Sequence, residues 1–194
     1  PTGAVSGRIL FVLHQGPIGD VYVMNGDGSD QVNLTKDNPG RPNWAPAWSP
    51  DGTKIAYGCA NPPSDPDGVC VMNADGSGYR RLTTDDSRQH YYPSLSPDGQ
   101  SVVYAAFREA NIYEIYEMNI MTVSVVQLTN RLGIVNSPEI SPDGSSIVFK
   151  NTKVNSNRNL IMFMDRNGDN LHNLPGVTGW DPTWSPDGKK ILFA

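Results

Sequence analysis

The sequence predicts an all-β fold, a β-propeller of four-stranded antiparallel blades with about four blades in this chain, and three recurring landmarks predict it. Ser-Pro-Asp-Gly occurs at Ser49, Ser96, Ser141 and Ser185, at intervals of 47, 45 and 44 residues. Leu-Thr keeps the same phase at Leu34, Leu82 and Leu128, with Leu174-Pro175 as a degenerate fourth copy. Between them lies an apolar segment closing on Met-Asn or Met-Asp: Val21 to Asn25, Val69 to Asn73, Ile115 to Asn119 and Ile161 to Asp165. A fixed order of three landmarks at a period of 44 to 48 residues is the mark of a repeat architecture.

Each repeat divides into four short strands, a to d. Strand a precedes Ser-Pro-Asp-Gly, as in Pro46-Ala47-Trp48-Ser49. The tetrapeptide is a tight turn in which Pro presets φ and Gly is free to take a positive one. Strand b follows at once: Ile9-Leu10-Phe11, Ile55-Ala56-Tyr57, Val102-Val103-Tyr104, Ile147-Val148-Phe149 and Ile191-Leu192-Phe193, made of the β-branched and aromatic types that suit a pleated surface. Strand c is the Met-Asn element. It ends in a hairpin turn, Gly26-Asp27-Gly28-Ser29, Ala74-Asp75-Gly76-Ser77 or Arg166-Asn167-Gly168-Asp169. Strand d closes the unit at Leu-Thr. The stretch from Arg108 to Met121 also spaces its Ile and Met residues as a helix would, but repeat phase assigns Ile115 to Asn119 to strand c.

These units, each unable to bury both faces alone, imply radial stacking. The repeats run over about 6–48, 49–95, 96–140 and 141–184, with a partial copy at 185–194, in a single domain 1–194. The Ser-Pro-Asp-Gly turn, the Ile-x-aromatic strand, the Met-Asn-x-Asp-Gly-Ser turn and the Leu-Thr ending resemble the repeats of TolB-like propellers, relatives of WD-type repeats. The resemblance runs from about Ser6 to Ala194. It implies an interaction scaffold of the cell envelope, periplasmic or extracellular, and a namesake of six blades. Against that number the chain has four copies of strands a, c and d and five of b. Three arrangements follow: a compact ring closed by pairing the last strand a with the first b, c and d; a segment of a larger propeller; or a larger ring shared by two copies. The spare strand b is an edge through which a homo-oligomer could form.

Composition narrows the function. The 194 residues carry a net charge of −5 and no long run of Lys or Arg, which disfavours nucleic acid. No apolar stretch approaches the ~20 residues that span a bilayer, and Pro1 to Gly7 show no charged-then-apolar targeting pattern. Gly (19) and Pro (16) exceed one residue in six, which favours turns over long helices. Cys59 and Cys70 flank the Pro-rich loop Asn61 to Pro66. The plainer reading makes them two small buried side chains on adjacent strands; the alternative is a bridge across a hairpin, which implies an oxidising compartment.

Enzyme signatures are scarce: there is no Gly-x-Ser-x-Gly, no phosphate loop and no His-Glu-x-x-His, and His14, His90 and His172 occupy unlike positions in different repeats. Neither a cofactor nor a metal is expected. Asp165 to Asn170 spaces oxygens like the opening of a calcium loop but lacks the Gly and Glu that complete one, so it reads as a hairpin turn. Asp51, Asp98, Asp143 and Asp187 read as turn residues bonding backbone amides. Trp180-Asp181 precedes a strand a and is not the WD dipeptide. Five residues before each Ser-Pro-Asp-Gly stand Trp44, Tyr91, Asn136 and Trp180, which alignment places at one rim of the central channel, with Arg41, Arg88, His90, Tyr92, Arg131 and Asp181 nearby. Flat apolar surfaces with hydrogen-bonding neighbours resemble binding anchors, though aromatics also pack between blades. The reading is a non-catalytic module that binds a protein or peptide on this face. The competing reading is the propeller portion of an enzyme, gating a peptidase or acting as a carbohydrate lyase; a third is a purely structural role.

Overall fold

The computed structural model describes residues 7–15, 18–37, 42–61, 65–83, 89–109, 112–153 and 158–194, and all of their regular structure is β. Blade I comprises β1 (Arg8–Gln15), β2 (Ile18–Asn25) and β3 (Val32–Asn33), and blade II β4 (Asn43–Trp48), β5 (Lys54–Asn61), β6 (Asp65–Asn73) and β7 (Arg80–Arg81). Blade III holds β8 (His90–Leu95), β9 (Ser101–Glu109), β10 (Ile112–Asn119) and β11 (Val125–Gln127); blade IV holds β12 (Ile134–Ile140), β13 (Ser146–Thr152), β14 (Asn159–Asp165) and β15 (His172–Thr178). Within each blade neighbouring strands pair antiparallel in the order a, b, c, d. The segment that suggested a helix is β10, hydrogen-bonded along its length to β9. β16 (Thr183–Trp184) and β17 (Ile191–Leu192) begin a fifth blade.

Alternation along the strands explains the stacking. On β5, Ile55 and Tyr57 face blade I, joining Val21, Val23 and Leu34, while the intervening Ala56 faces blade III with Val69, Val71 and Leu82. Blade III repeats the device, Val102 and Tyr104 packing on blade II and Val103 and Ile115 on Ile147, Phe149 and Met164 of blade IV. The core is therefore a series of apolar layers between successive blades, which a period-2 pattern with both faces buried requires.

The landmarks have local jobs. In each Ser-Pro-Asp-Gly turn the Ser hydroxyl donates to the Asp carboxylate, at 2.6, 2.5, 2.5 and 2.6 Å for Ser49, Ser96, Ser141 and Ser185. That carboxylate also accepts the backbone N–H two residues on, from Thr53, Gln100, Ser145 and Lys189. In Leu-Thr the Thr hydroxyl accepts a strand-c N–H that the ladder leaves over: Val21 to Thr35 at 3.0 Å, Val69 to Thr83 at 2.9 Å and Ile115 to Thr129 at 2.9 Å. Thr35 and Thr129 pass the bond on, donating to Asp20 and to the fully buried Glu114. Blade IV has Pro175 in place of the Thr, and its strand d runs on to Thr178.

Two readings need correction or closure. Cys59 and Cys70 are not free: they form a disulfide, with Cα atoms 6.0 Å apart. The register pairs Cys59 with Gly68 and Tyr57 with Cys70, so the bridge runs diagonally between β5 and β6, where the separation suits a disulfide. The ring-closing pairing is also absent among the described residues. β16 pairs with its own β17 (Thr183 opposite Leu192) and β1 with β2 alone, so no ladder joins the fifth blade to the first.

Candidate functional site

Every strand a carries the same backbone irregularity. Ladder pairing skips two residues between Trp44 and Ala47, between Tyr91 and Ser94, and between Asn136 and Glu139. In the fifth copy Trp180 exchanges backbone hydrogen bonds with Ala194 before pairing resumes at Thr183. The first skipped residue is left-handed in all four copies, with φ of 45° at Ala45, 55° at Tyr92, 51° at Ser137 and 46° at Asp181. The second is Pro46, Pro93, Pro138 or Pro182. Non-glycine residues avoid this region, and a following proline restricts them further, so the bulge is backbone strain that the surrounding fold maintains four times.

The bulges line one groove of about 400 Å³ along the axis on which the strands a converge, made from Ala45-Pro46-Ala47, Tyr92-Pro93-Ser94, Ser137-Pro138-Glu139 and Asp181-Pro182-Thr183. Four of the groove's backbone positions are prolines without an N–H, and side chains add further polar groups. Ser137 donates to Asp181 Oδ1 at 2.6 Å. Burial raises the Tyr92 phenol above its ordinary range, and the Asp181 carboxylate adds to the shift. Glu139 accepts the Trp184 N–H at 3.3 Å; burial raises its carboxyl, which those hydrogen bonds only partly offset. On blade IV, Lys150 stands beneath the Trp180 indole, its Nζ 4.0 Å from the ring centroid.

The residues expected at the rim fall into two groups. Trp44 and Tyr91 pack together with ring centroids 6.3 Å apart, and Tyr91 also lies against Tyr92 and Tyr113. The Tyr91 hydroxyl donates to Asp67 at 3.1 Å, and burial together with that carboxylate pushes the phenol far above its ordinary range. Trp44 lies over Gly58, where a Cβ would come 2.1 Å from the indole nitrogen, so this position is held to glycine by contact. His90 is 2% exposed, tilted against the Tyr104 ring with Nδ1 2.9 Å from the Asp67 carbonyl oxygen; it faces the interior, not the groove. Trp180 and Asp181 form the second group, at the junction of blades IV and V, and Trp180 is 53% exposed. Arg131 is exposed and paired with Glu109 at 3.8 Å. Asn136 sits opposite Lys150 in the ladder. Arg41 and Arg88 lie outside the described residues. The turn Asp165 to Asn170 satisfies its own oxygens, Asn170 donating to Asp165 at 2.6 Å and the Asp169 N–H to Asn167 at 3.1 Å.

Sequence reasoning missed the αL-Pro bulge. Its signal was present, since Pro46, Pro93, Pro138 and Pro182 each stand three residues before Ser-Pro-Asp-Gly. It also missed Lys150, whose partner Trp180 is remote in sequence and belongs to the next blade.

Comparison with known proteins follows the same repeats. The family model described as the TolB beta propeller domain matches residues 1–194. The Tol-Pal system protein TolB of Francisella tularensis subsp. tularensis is 30% identical over 197 residues, covering 100% of this chain and 44% of that protein. The crystal structure of TolB from Acinetobacter baumannii superposes with a TM-score of 0.81 at 27% identity, over 98% of this chain and 47% of that one. Oligogalacturonate lyase in complex with manganese shares the fold alone, with a TM-score of 0.64 at 19% identity over 91% of this chain and 50% of the lyase. The chain thus spans about half the length of the TolB proteins it matches. With the family model matched from end to end and the repeats in register, the chain belongs to the TolB beta propeller domain family.

Proposed function

We propose that this chain is a non-catalytic binding module whose groove takes an extended segment of a protein partner. The observation that carries the reading is the αL-Pro bulge, repeated in four consecutive strands a and lining a single groove. Strain kept in every copy at one surface is a reason to look for function there. The groove offers the exposed face of Tyr92 as an anchor, and the exposed Trp180, next in sequence to the lining residue Asp181, stands as a second aromatic beside it. Its prolines cannot donate to a bound backbone, so orientation would fall to Ser137, Glu139 and Asp181. The relatives named as Tol-Pal system proteins support a place in a protein assembly. The disulfide supports an oxidising compartment, periplasmic or extracellular.

Selection of a random linear peptide library on the immobilised chain tests this. Selected peptides are expected to lose about tenfold or more in affinity against Tyr92→Ser and Trp180→Ser variants, the scale of a well-packed aromatic anchor. Peptides that bind both variants as tightly as the parent would overturn the assignment.

A further inference from the structure

One cation near the Asp181 end of the groove has no hydrogen-bonded acceptor among the described residues. Lys150 lies on β13 opposite Asn136; at the matching ladder position blade II has Gly58 opposite Trp44 and blade III has Ala105 opposite Tyr91. Where blades II and III keep a small residue, blade IV thus places an ammonium on a long stem. The residue is 5% exposed, and its charge faces the Trp180 indole. An ammonium has three N–H donors, and a ring face satisfies none of them as an acceptor would. Among the described residues its only charged influence is Asp181, which acts through space without a hydrogen bond while its Oδ1 holds the Ser137 hydroxyl. Burial accordingly pulls the Lys150 amine below the ordinary lysine range, with Asp181 opposing. Water reaches the Nζ, which is not among the enclosed polar atoms without a partner, but a cation whose stem is buried is normally paired, and no anionic acceptor among the described residues bonds to it.

We propose that Lys150 anchors a carboxylate carried by the bound segment, with the Trp180 indole as the roof of the site. This rests on the groove being the place where a segment binds. A carboxylate fits better than a phosphate: its single charge matches one ammonium, whereas a dianion would meet Asp181 with a second charge uncompensated. Trp180, half-exposed and held by its backbone to Ala194, can turn aside to admit the carboxylate without breaking the ladder. The carboxylate could come from a chain terminus or from an Asp or Glu side chain.

Three short probes separate these cases: acetyl-Ala-Trp-Ala with a free C-terminal carboxylate, acetyl-Asp-Trp-Ala amide, and the neutral acetyl-Asn-Trp-Ala amide. Binding is followed by NMR through the ε-CH₂ resonance of Lys150 in the ¹³C-lysine-labelled chain and through the Tyr92 ring. The expected result is that one or both acids bind about tenfold more tightly than the neutral probe, a charge-assisted hydrogen bond's worth, and shift the Lys150 resonance. A preference for the first probe identifies a chain terminus, for the second a side chain. The preference should vanish in Lys150→Met and persist in Lys150→Arg. Equal binding of all three probes, with Tyr92 shifting in each, overturns the anchor and leaves the groove reading standing. Failure of every probe to shift Tyr92 overturns both. The comparison of probes on the parent chain needs no variant to fold.

Discussion

The hydroxyl of Ser137 donates to Asp181 across 2.6 Å, and both residues are the left-handed member of a strand-a bulge, one on blade IV and one on blade V. The bond ties two strained positions to each other at the groove wall. Removing it with Ser137→Ala should loosen the wall without relieving the strain, because alanine keeps the Cβ that makes φ of 51° unfavourable. Hydrogen exchange at Thr183 and Trp184 should quicken in that variant. Unchanged exchange would show that the bulges hold themselves.

The Leu-Thr clips predict an order of stabilities. Thr83→Val removes an acceptor and leaves the Val69 N–H unpaired in the core, at a cost of about 1–3 kcal/mol. Thr129→Val strands the Ile115 N–H and also takes a donor from Glu114, which is fully buried, so its cost should be the larger. Denaturant midpoints of the two variants decide the order. An equal or reversed order would mean that Glu114 is satisfied by the Arg131 N–H at 2.5 Å alone.

The disulfide closes a loop between residues 11 apart, and in the chain-entropy account a loop of that length is worth roughly 3 kcal/mol. Reduction, or Cys59→Ala with Cys70→Ala, should lower the unfolding midpoint accordingly. Both sulfurs are buried, so reduction of the native chain should be slow and speed up with denaturant. A midpoint indifferent to reductant would contradict the diagonal bridge.

The turn carboxylates predict a pH dependence. Ser141 and Ser145 hold the Asp143 carboxyl down to about 2, from an ordinary value of 3.8, first through the Ser141 hydroxyl and then through the Ser145 N–H. A carboxyl lowered in the folded state adds stability above its unfolded value and loses it as pH falls through the folded one. Asp143→Asn should therefore melt lower than the parent at pH 7, with the gap closing between pH 4 and about 2. Asp51, Asp98 and Asp187 are lowered by the same contacts and should behave alike. A gap that stays constant with pH would remove the carboxylate from the account.

Val123 offers a simple gain. It is β-branched and holds φ at 52° in the turn after β10, where the matching turns of blades I, II and IV carry Gly28, Gly76 and Gly168 at φ of 87° to 90°. Val123→Gly should raise stability by about 1 kcal/mol, the typical cost of a left-handed non-glycine residue. A loss of that size would show that the half-exposed Val123 side chain packs usefully.

Most of the fold was legible because a propeller writes its structure in repeated turns: Ser-Pro-Asp-Gly and Leu-Thr each satisfy the same backbone groups in each blade that carries them, so they return in phase. The site was less legible. Position five before the turn found Trp44, Tyr91 and Trp180, but whether an aromatic there packs inward or stays exposed depends on the next blade, which sequence spacing does not show. His90 illustrates this, its surroundings being set by Tyr104 and Asp67 on other strands. The cysteines could not be paired from spacing alone, since a bridge depends on a register offset of two residues across a hairpin.

The most direct test of the binding account is hydrogen–deuterium exchange of the chain with and without a library-selected peptide. The account predicts slowed exchange at the non-proline amides of 45–47, 92–94, 137–139 and 181–183, with β15 on the outer edge unchanged. Protection confined to β15 or the other outer strands, with the groove amides unaffected, would contradict it.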